Sequence, residues 1–137
     1  MKKYSFITII LLGNLMLWGC WNEEKNISLL SQVPITEVTI GNPTAKEILE
    51  NDSQADIFQW DDIIYETNID WVNELVLTEG DLVGFIKYNT SNPTDFKNAT
   101  ANILPIGTEL YKVNERNDIF IAKYNGEWKY YYQLVEG

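Results

Sequence analysis

One side chain in this sequence has a setting that points to a definite reaction: Cys20, the sole cysteine among 137 residues. Its thiol can be alkylated or acylated, but with no second cysteine it cannot close an internal disulfide. Histidine is absent, which removes the commonest general base and the commonest transition-metal ligand. Ser-His-Asp and Cys-His nucleophiles and His- or Cys-based zinc sites are therefore excluded. Carboxylates and aromatic rings remain. From Glu47 to Ile86 there are eleven acids and no Lys or Arg. Within that run Asp61 and Asp62 could offer oxygen ligands to Ca²⁺, although no EF-hand spacing is present and Asp at a hairpin tip is ordinary turn chemistry. Paired carboxylates could hydrolyse a glycoside, yet many acids without a cleft pattern do not define a pair, and no enzyme is expected. Tyr124, Trp128, Tyr130, Tyr131 and Tyr132 could stack on sugar rings, but aromatic residues also form strands and fill cores.

The setting of Cys20 is the N-terminal segment. Lys2 and Lys3 precede a mostly apolar run from Phe6 to Trp18 that contains Thr8 and Asn14 and ends in Leu17-Trp18-Gly19-Cys20. A membrane-spanning helix needs about 20 apolar residues, and this run is too short. A basic start, a short apolar run and a small residue beside the cut make a signal peptide pattern. Leu17-Trp18-Gly19-Cys20 resembles the lipobox of bacterial lipoproteins, Trp18 departing from the small or hydroxyl residue usual at its place. The resemblance implies a diacylglyceryl group on the Cys20 sulfur, cleavage between Gly19 and Cys20, and a mature chain starting at Cys20. Acyl chains such as palmitate would then hold the protein at the extracytoplasmic face of the cell membrane. Each buried methylene contributes about 0.8 kcal/mol, so two chains anchor where one holds marginally. An ordinary secretory signal and an uncleaved anchor are the alternatives.

Removing the first 19 of 137 residues leaves 118, a size for one domain, and takes the formal net charge from −10 to −12 because Lys2 and Lys3 go with them. Such a surface is a poor partner for nucleic acid or anionic lipid headgroups. A basic protein, a cationic peptide or a divalent ion would be attracted. Stability must come from packing, since the cell envelope permits disulfides but this chain has none to form.

Three segments are expected: a signal peptide over 1–19, a lipidated tether over 20–32, and a single β-rich domain over 33–137. Val33 to Ile40 is strand-like, with Pro34 confining it to an edge or an extended lead-in. Pro43 to Glu50 should be a short helix, capped by Asn42 or by Thr44 with Glu47. Asp61-Asp62 would join strands Ile57–Trp60 and Ile63–Glu66, placing Phe58, Trp60, Ile63 and Tyr65 on one face. One helical turn is expected at Asp70–Leu75, a turn at Glu79-Gly80, a strand at Leu82–Tyr88 and a loop over 89–102. The loop holds a formal glycosylation sequon at Asn98, read as chance. Leu104-Pro105-Ile106-Gly107 suits a type I turn before strand Thr108–Val113. Asn125-Gly126 is the strongest turn in the chain and pairs Asp118–Tyr124 with Glu127–Val135. Lys123 would then face Trp128 and Ile121 face Tyr130. Ile119, Ile121, Trp128, Tyr130, Tyr132 and Leu134 are expected to form the core face, leaving Phe120, Tyr124 and Tyr131 as the candidate binding surface. The fold class is mainly β with a short N-terminal helix (α+β), built as a small curved antiparallel sheet or SH3-like barrel.

The order Phe58-x-Trp60, Ile64-Tyr65, Asp70-Trp71-Val72, Val83-Gly84-Phe85-Ile86 and Leu104 to Tyr111 resembles small uncharacterised lipoproteins of Bacillus-type bacteria. That resemblance implies a stand-alone domain and no activity. The sequence thus leads to a non-enzymatic, monomeric, lipid-anchored interaction domain. It would need no cofactor and bind a protein or peptide, with cell-wall glycan or a divalent ion as the alternative ligand.

Overall fold

Thr44 opens the first element of the computed structural model, which describes residues 41–136. Its hydroxyl accepts from the Glu47 N–H at 3.3 Å, and the Glu47 carboxylate accepts from the Thr44 N–H at 2.8 Å. This capping box starts helix α1, Ala45–Asn51, so of the two expected caps Thr44 is the one used. The signal peptide, the tether, Cys20 and the Val33–Ile40 lead-in lie outside the described residues.

Two hairpins form where turn chemistry demanded them. β1 (Ile57–Trp60) and β2 (Ile63–Glu66) pair Phe58 with Tyr65 and Trp60 with Ile63 across Asp61-Asp62. Both aspartates are left-handed, at φ 48° and 63°, as a type I′ turn requires. The Asn98 side-chain carbonyl accepts from the Asp61 N–H at 3.0 Å, and Thr100 is fully buried; this part of the sequon therefore serves the fold. β7 (Ile119–Tyr124) and β8 (Glu127–Leu134) meet at Asn125-Gly126, with φ 48° and 80°, in the expected register of Lys123 to Trp128 and Ile121 to Tyr130.

Other elements depart from expectation. Helix α2 covers only Asp70–Asn73. β3 runs over Glu79–Phe85, so Glu79-Gly80 belongs to a strand, and its register against β6 (Glu109–Val113) shifts twice, between Glu79 and Leu82 and between Leu82 and Gly84. Such bulges bend a strand and blunt an edge. The expected loop contains two short strands, β4 (Tyr88–Asn89) and β5 (Thr100–Ala101), with a 3₁₀ turn at Pro93–Asp95 between them. At the Pro105 turn the Thr108 N–H donates to the Pro105 carbonyl at 3.2 Å, and Gly107 has φ 90°. The hydrogen-bonded turn is thus Pro105–Thr108, one residue later than the expected Leu104–Gly107, and a positive φ at its third position is the type II pattern.

The eight strands form one curled half-barrel sheet in the order β3-β6-β7-β8-β2-β1-β5-β4. All pairings are antiparallel except β4 with β5. Outer strands β3 and β4 are joined by only Ile86 and Lys87. A flat sheet with strands about 4.8 Å apart would hold its edges roughly 34 Å apart, whereas Phe85 to Tyr88 spans at most about 11 Å. The sheet must curl until its edges meet there. Ile86 exchanges backbone hydrogen bonds with Gly107 and Thr108 beside β6, at 2.8 and 2.9 Å, while the next residue, Lys87, already donates to Ala99 beside β5 at 2.8 Å.

Curling creates a concave interior, where Phe58, Tyr65, Ile86, Leu104, Leu110, Phe120 and Tyr131 pack together with Trp60 against them. Phe58 stacks on Tyr65 with centroids 5.1 Å apart, and Phe120 lies 4.8 Å from Tyr65. The convex side has two further apolar clusters. α1 covers Ile57, Ile64 and Leu134 with Ile48 and Leu49, while α2 and the chain after it cover Ile119, Ile121 and Tyr130 with Val72, Leu75 and Leu77. Ile119, Ile121 and Tyr130 are buried as expected, but Trp128 is exposed, and the opposite face of Phe120 and Tyr131, expected to be surface, is buried as well. The Phe120–Tyr131 face lines the interior, and the face of Ile119, Ile121, Trp128 and Tyr130 points outward beneath partial covers.

Gly84 is where the curl leaves no room. A Cβ there would collide with Cη2 of Trp60, whose ring crosses from β1 to β3. Overpacking of this kind costs about 1–3 kcal/mol. Gly84→Ala should lower the urea-unfolding free energy by about that amount, and Trp60→Phe should lessen the penalty when combined with it. An unchanged stability would show that Trp60 does not pack on β3.

Candidate functional site

The structure brings together a buried polar cluster and an open groove, and neither coincides with the surface expected from sequence. The buried cluster centres on Asp56, just ahead of β1 and only 4% exposed. Its carboxylate accepts from the Tyr131 hydroxyl at 2.7 Å and from the Lys129 ammonium at 3.0 Å. Alternation along β8 explains the meeting, because Lys129 and Tyr131 both face inward, toward the segment that enters β1. Burial, then the Asp56 charge, push the Tyr131 phenol well above the usual tyrosine range, and the hydrogen bond to Asp56 raises the Lys129 ammonium. With Asp56 and Tyr131 closed off from solvent, the cluster is a clamp between β1 and β8. Two side chains more than seventy residues downstream complete it, and nothing in their local sequence indicated that.

The groove lies at the β7–β8 tip. Gly107, Glu109, Lys123, Tyr124, Gly126, Glu127 and Trp128 line a shallow recess of about 540 Å³. Sheet register builds it: Phe85, Glu109, Lys123 and Trp128 form one transverse row across β3, β6, β7 and β8, and Leu82, Tyr111, Ile121 and Tyr130 form the next. Trp128 is 54% exposed, Leu82 46% and Phe85 43%. α2 and the chain after it reach Tyr111, Ile121 and Tyr130 of the second row but leave Leu82, Phe85 and Trp128 exposed. Large apolar residues exposed together mark a contact surface more often than single ones do.

Charges are arranged around those rings. The Lys123 ammonium pairs with Glu79 and sits 5.1 Å from the Tyr111 ring centroid, while the Tyr111 hydroxyl donates to Glu109 at 2.8 Å. Bonding to Glu79 raises the Lys123 ammonium, and bonding to Glu109 raises the Tyr111 phenol. Trp128 meets Tyr130, two residues along the same face of β8, at 4.9 Å. Among the described residues neither Glu109 nor Glu127 joins an ion pair.

The candidates from sequence fall as follows. Phe120 is 5% exposed and Tyr131 0%, so two of the three proposed contact residues are core. They were taken for surface because both hairpin faces are apolar, and curl rather than composition decides which face is inside. Tyr124 is half-buried and lines the groove. Asp61 and Asp62 are exposed at the β1–β2 tip, which the β2–β8 register puts at the far end of the sheet from Trp128. Among the described residues no three acids, cysteines or histidines gather closely enough to hold a metal ion, and no helix is long and apolar enough to cross a membrane. Gly19 and Cys20 lie outside the described residues. Trp128 was assigned to the core from sequence, and its place beside an Asn-Gly tip was the available sign that it is exposed. Comparison with protein families, curated proteins and solved structures finds no match to this chain.

The clamp gives a pH dependence of definite sign. Tyr131 and Lys129 both have folded-state pKa values above their unfolded ones. Their contribution is fully present below about pH 10 and is lost as pH rises, because the unfolded chain then releases protons that the folded chain keeps. Thermal melts from pH 8 to 11 should show the midpoint falling above about pH 10. Tyr131→Phe should lower stability at pH 8 by about 1–3 kcal/mol, having left Asp56 short of a donor, and should flatten the alkaline fall. An equally steep fall in that variant would mean that Tyr131 titrates as it does in the unfolded chain.

Proposed function

We propose that this protein is a lipid-anchored, non-catalytic binding domain at the extracytoplasmic face of the cell membrane, which holds a protein or peptide partner on the convex tip face of its sheet. The lipobox-like Leu17-Trp18-Gly19-Cys20 supports the anchor. One observation carries the binding function: Phe85 and Trp128 lie exposed in one transverse row of the convex face and Leu82 in the next, with Trp128 lining a recess at the β7–β8 tip. The binding surface is thereby moved from Phe120 and Tyr131 to their neighbours on the opposite face, with Tyr124 retained at the rim. Net charge favours a basic partner. Sugar binding has weaker support, because the exposed rings are separated by the Glu79–Lys123 pair rather than aligned as a continuous stacking platform.

Crosslinking in intact cells tests both parts. Full-length protein should fractionate with membranes and give a discrete crosslinked species. Cys20→Ser should release it into the soluble fraction without its acyl mass, and retention in the membrane fraction would identify Phe6 to Trp18 as an anchor. Leu82→Ser with Trp128→Ala should leave the membrane fraction unchanged and reduce the crosslinked species at least about tenfold, the loss expected for truncating central interface residues. An unchanged yield would remove the tip face as the contact surface.

A further inference from the structure

We propose that Asp56 and Lys129 condense to a covalent amide, a side-chain cross-link between the entry to β1 and strand β8. The Lys129 ammonium lies 3.0 Å from one Asp56 carboxylate oxygen, and the Tyr131 hydroxyl donates to the other at 2.7 Å. The folded sheet thus holds both reacting groups in contact, the arrangement from which an intramolecular reaction gains most. Asp56 is nearly closed off from solvent between buried Ala55 and Ile57, and the Tyr131 ring packs on Phe58 at 5.0 Å. A charge in such a place is costly even when paired, and condensation removes two.

The step balances within the pair. At rest the two groups form an ion pair. A proton passes from Nζ of Lys129 to Oδ2 of Asp56 along their hydrogen bond, leaving a neutral amine and a carboxylic acid. The Nζ lone pair then attacks Cγ of Asp56 to form the N–C bond, and negative charge gathers on Oδ1, where the Tyr131 hydroxyl already donates. A second proton goes from Nζ to Oδ2, the Cγ–Oδ2 bond breaks, and Oδ2 leaves as water. No oxidant, metal or other reactant enters. The Lys129 side chain is 37% exposed, which opens a way out for that water.

An amide here does what a disulfide cannot do in this chain. Cys20 has no cysteine partner, whereas Asp56 and Lys129 stand 73 positions apart, and closing so long a loop restricts the unfolded chain strongly. The link ties the start of β1 to β8 across β2, which lies between them in the sheet. Once it has formed, the alkaline fall in stability belongs to Tyr131 alone.

Mass spectrometry of the folded full chain, carrying Cys20→Ser to avoid acyl heterogeneity, tests the proposal. The protein should be lighter than its sequence by one water molecule, trypsin should no longer cut after Lys129, and fragmentation should find a branched peptide joining residues 56 and 129. Lys129→Arg keeps a cation at Asp56 without the amine and should hold its full mass. Tyr131→Phe, followed from refolding, should slow the loss of water at least about tenfold. Circular dichroism verifies that each variant folds, and the branched peptide of the parent chain decides the matter if Lys129→Arg does not. A parent chain that keeps its full mass, with Lys129 open to trypsin and to acetylation, would overturn the proposal and leave the clamp an ion pair. Water lost equally from Lys129→Arg would place the dehydration elsewhere and overturn it too. An unchanged rate in Tyr131→Phe would remove the hydroxyl from the step.

Discussion

The two-residue passage from β3 to β4 governs this molecule. Ile86 bonds to one side of the sheet and Lys87 to the other, so the first and last strands of an eight-stranded order are held within a few residues of each other. Everything concave follows from that closure. Phe58, Tyr65, Phe120 and Tyr131 become interior, where each large apolar side chain contributes about 1.5–3 kcal/mol by leaving water. Trp60 reaches across to Gly84 on β3, where there is no side chain in its way. Asp56, Lys129 and Tyr131 then form a clamp whose value lies in complete satisfaction, because removing one member of such a buried set costs far more than the intact set contributes.

Turn chemistry was legible from residues alone. Asp61-Asp62 and Asn125-Gly126 adopt the left-handed pairs that two-residue hairpins need, and the registers they impose are those observed. The fold class was legible for the same reason, since short strands punctuated by turns leave few other architectures. Which face of β7–β8 lies inside was not. An antiparallel sheet with one wet face alternates apolar and polar residues, but here Ile119 and Ile121 are buried under α2 while Phe120 and Ala122 are buried in the curl. Burial on both sides erases the alternation that would have told them apart. β4 and β5 were missed because two residues carry no pattern, and β3 was expected three residues late, at Leu82–Tyr88, because its bulges break the period. The clamp was missed because Asp56 meets its partners only after closure.

The candidate surface is what closure and two small helices leave uncovered. α1 and α2 shelter two apolar regions of the convex face, and Leu82 and Phe85 on β3 and Trp128 at the β7–β8 tip stay exposed. A tethered acidic domain with such a tip is suited to holding a basic partner near the membrane while being repelled from anionic surfaces itself. The chemistry proposed for it is recognition and anchoring, with Cys20 as the proposed attachment point and Trp128 as the proposed contact.

The central claim is that the sheet curls with Phe120 and Tyr131 inside and Trp128 outside. Hydroxyl-radical footprinting of the full-length protein, read by residue-level mass spectrometry, addresses it directly. The account predicts rapid modification of Trp128, Trp71 and Phe85, with Phe58, Phe120 and Tyr131 protected until the protein unfolds. Modification of Phe120 and Tyr131 in the folded protein as fast as that of Trp128 would contradict it.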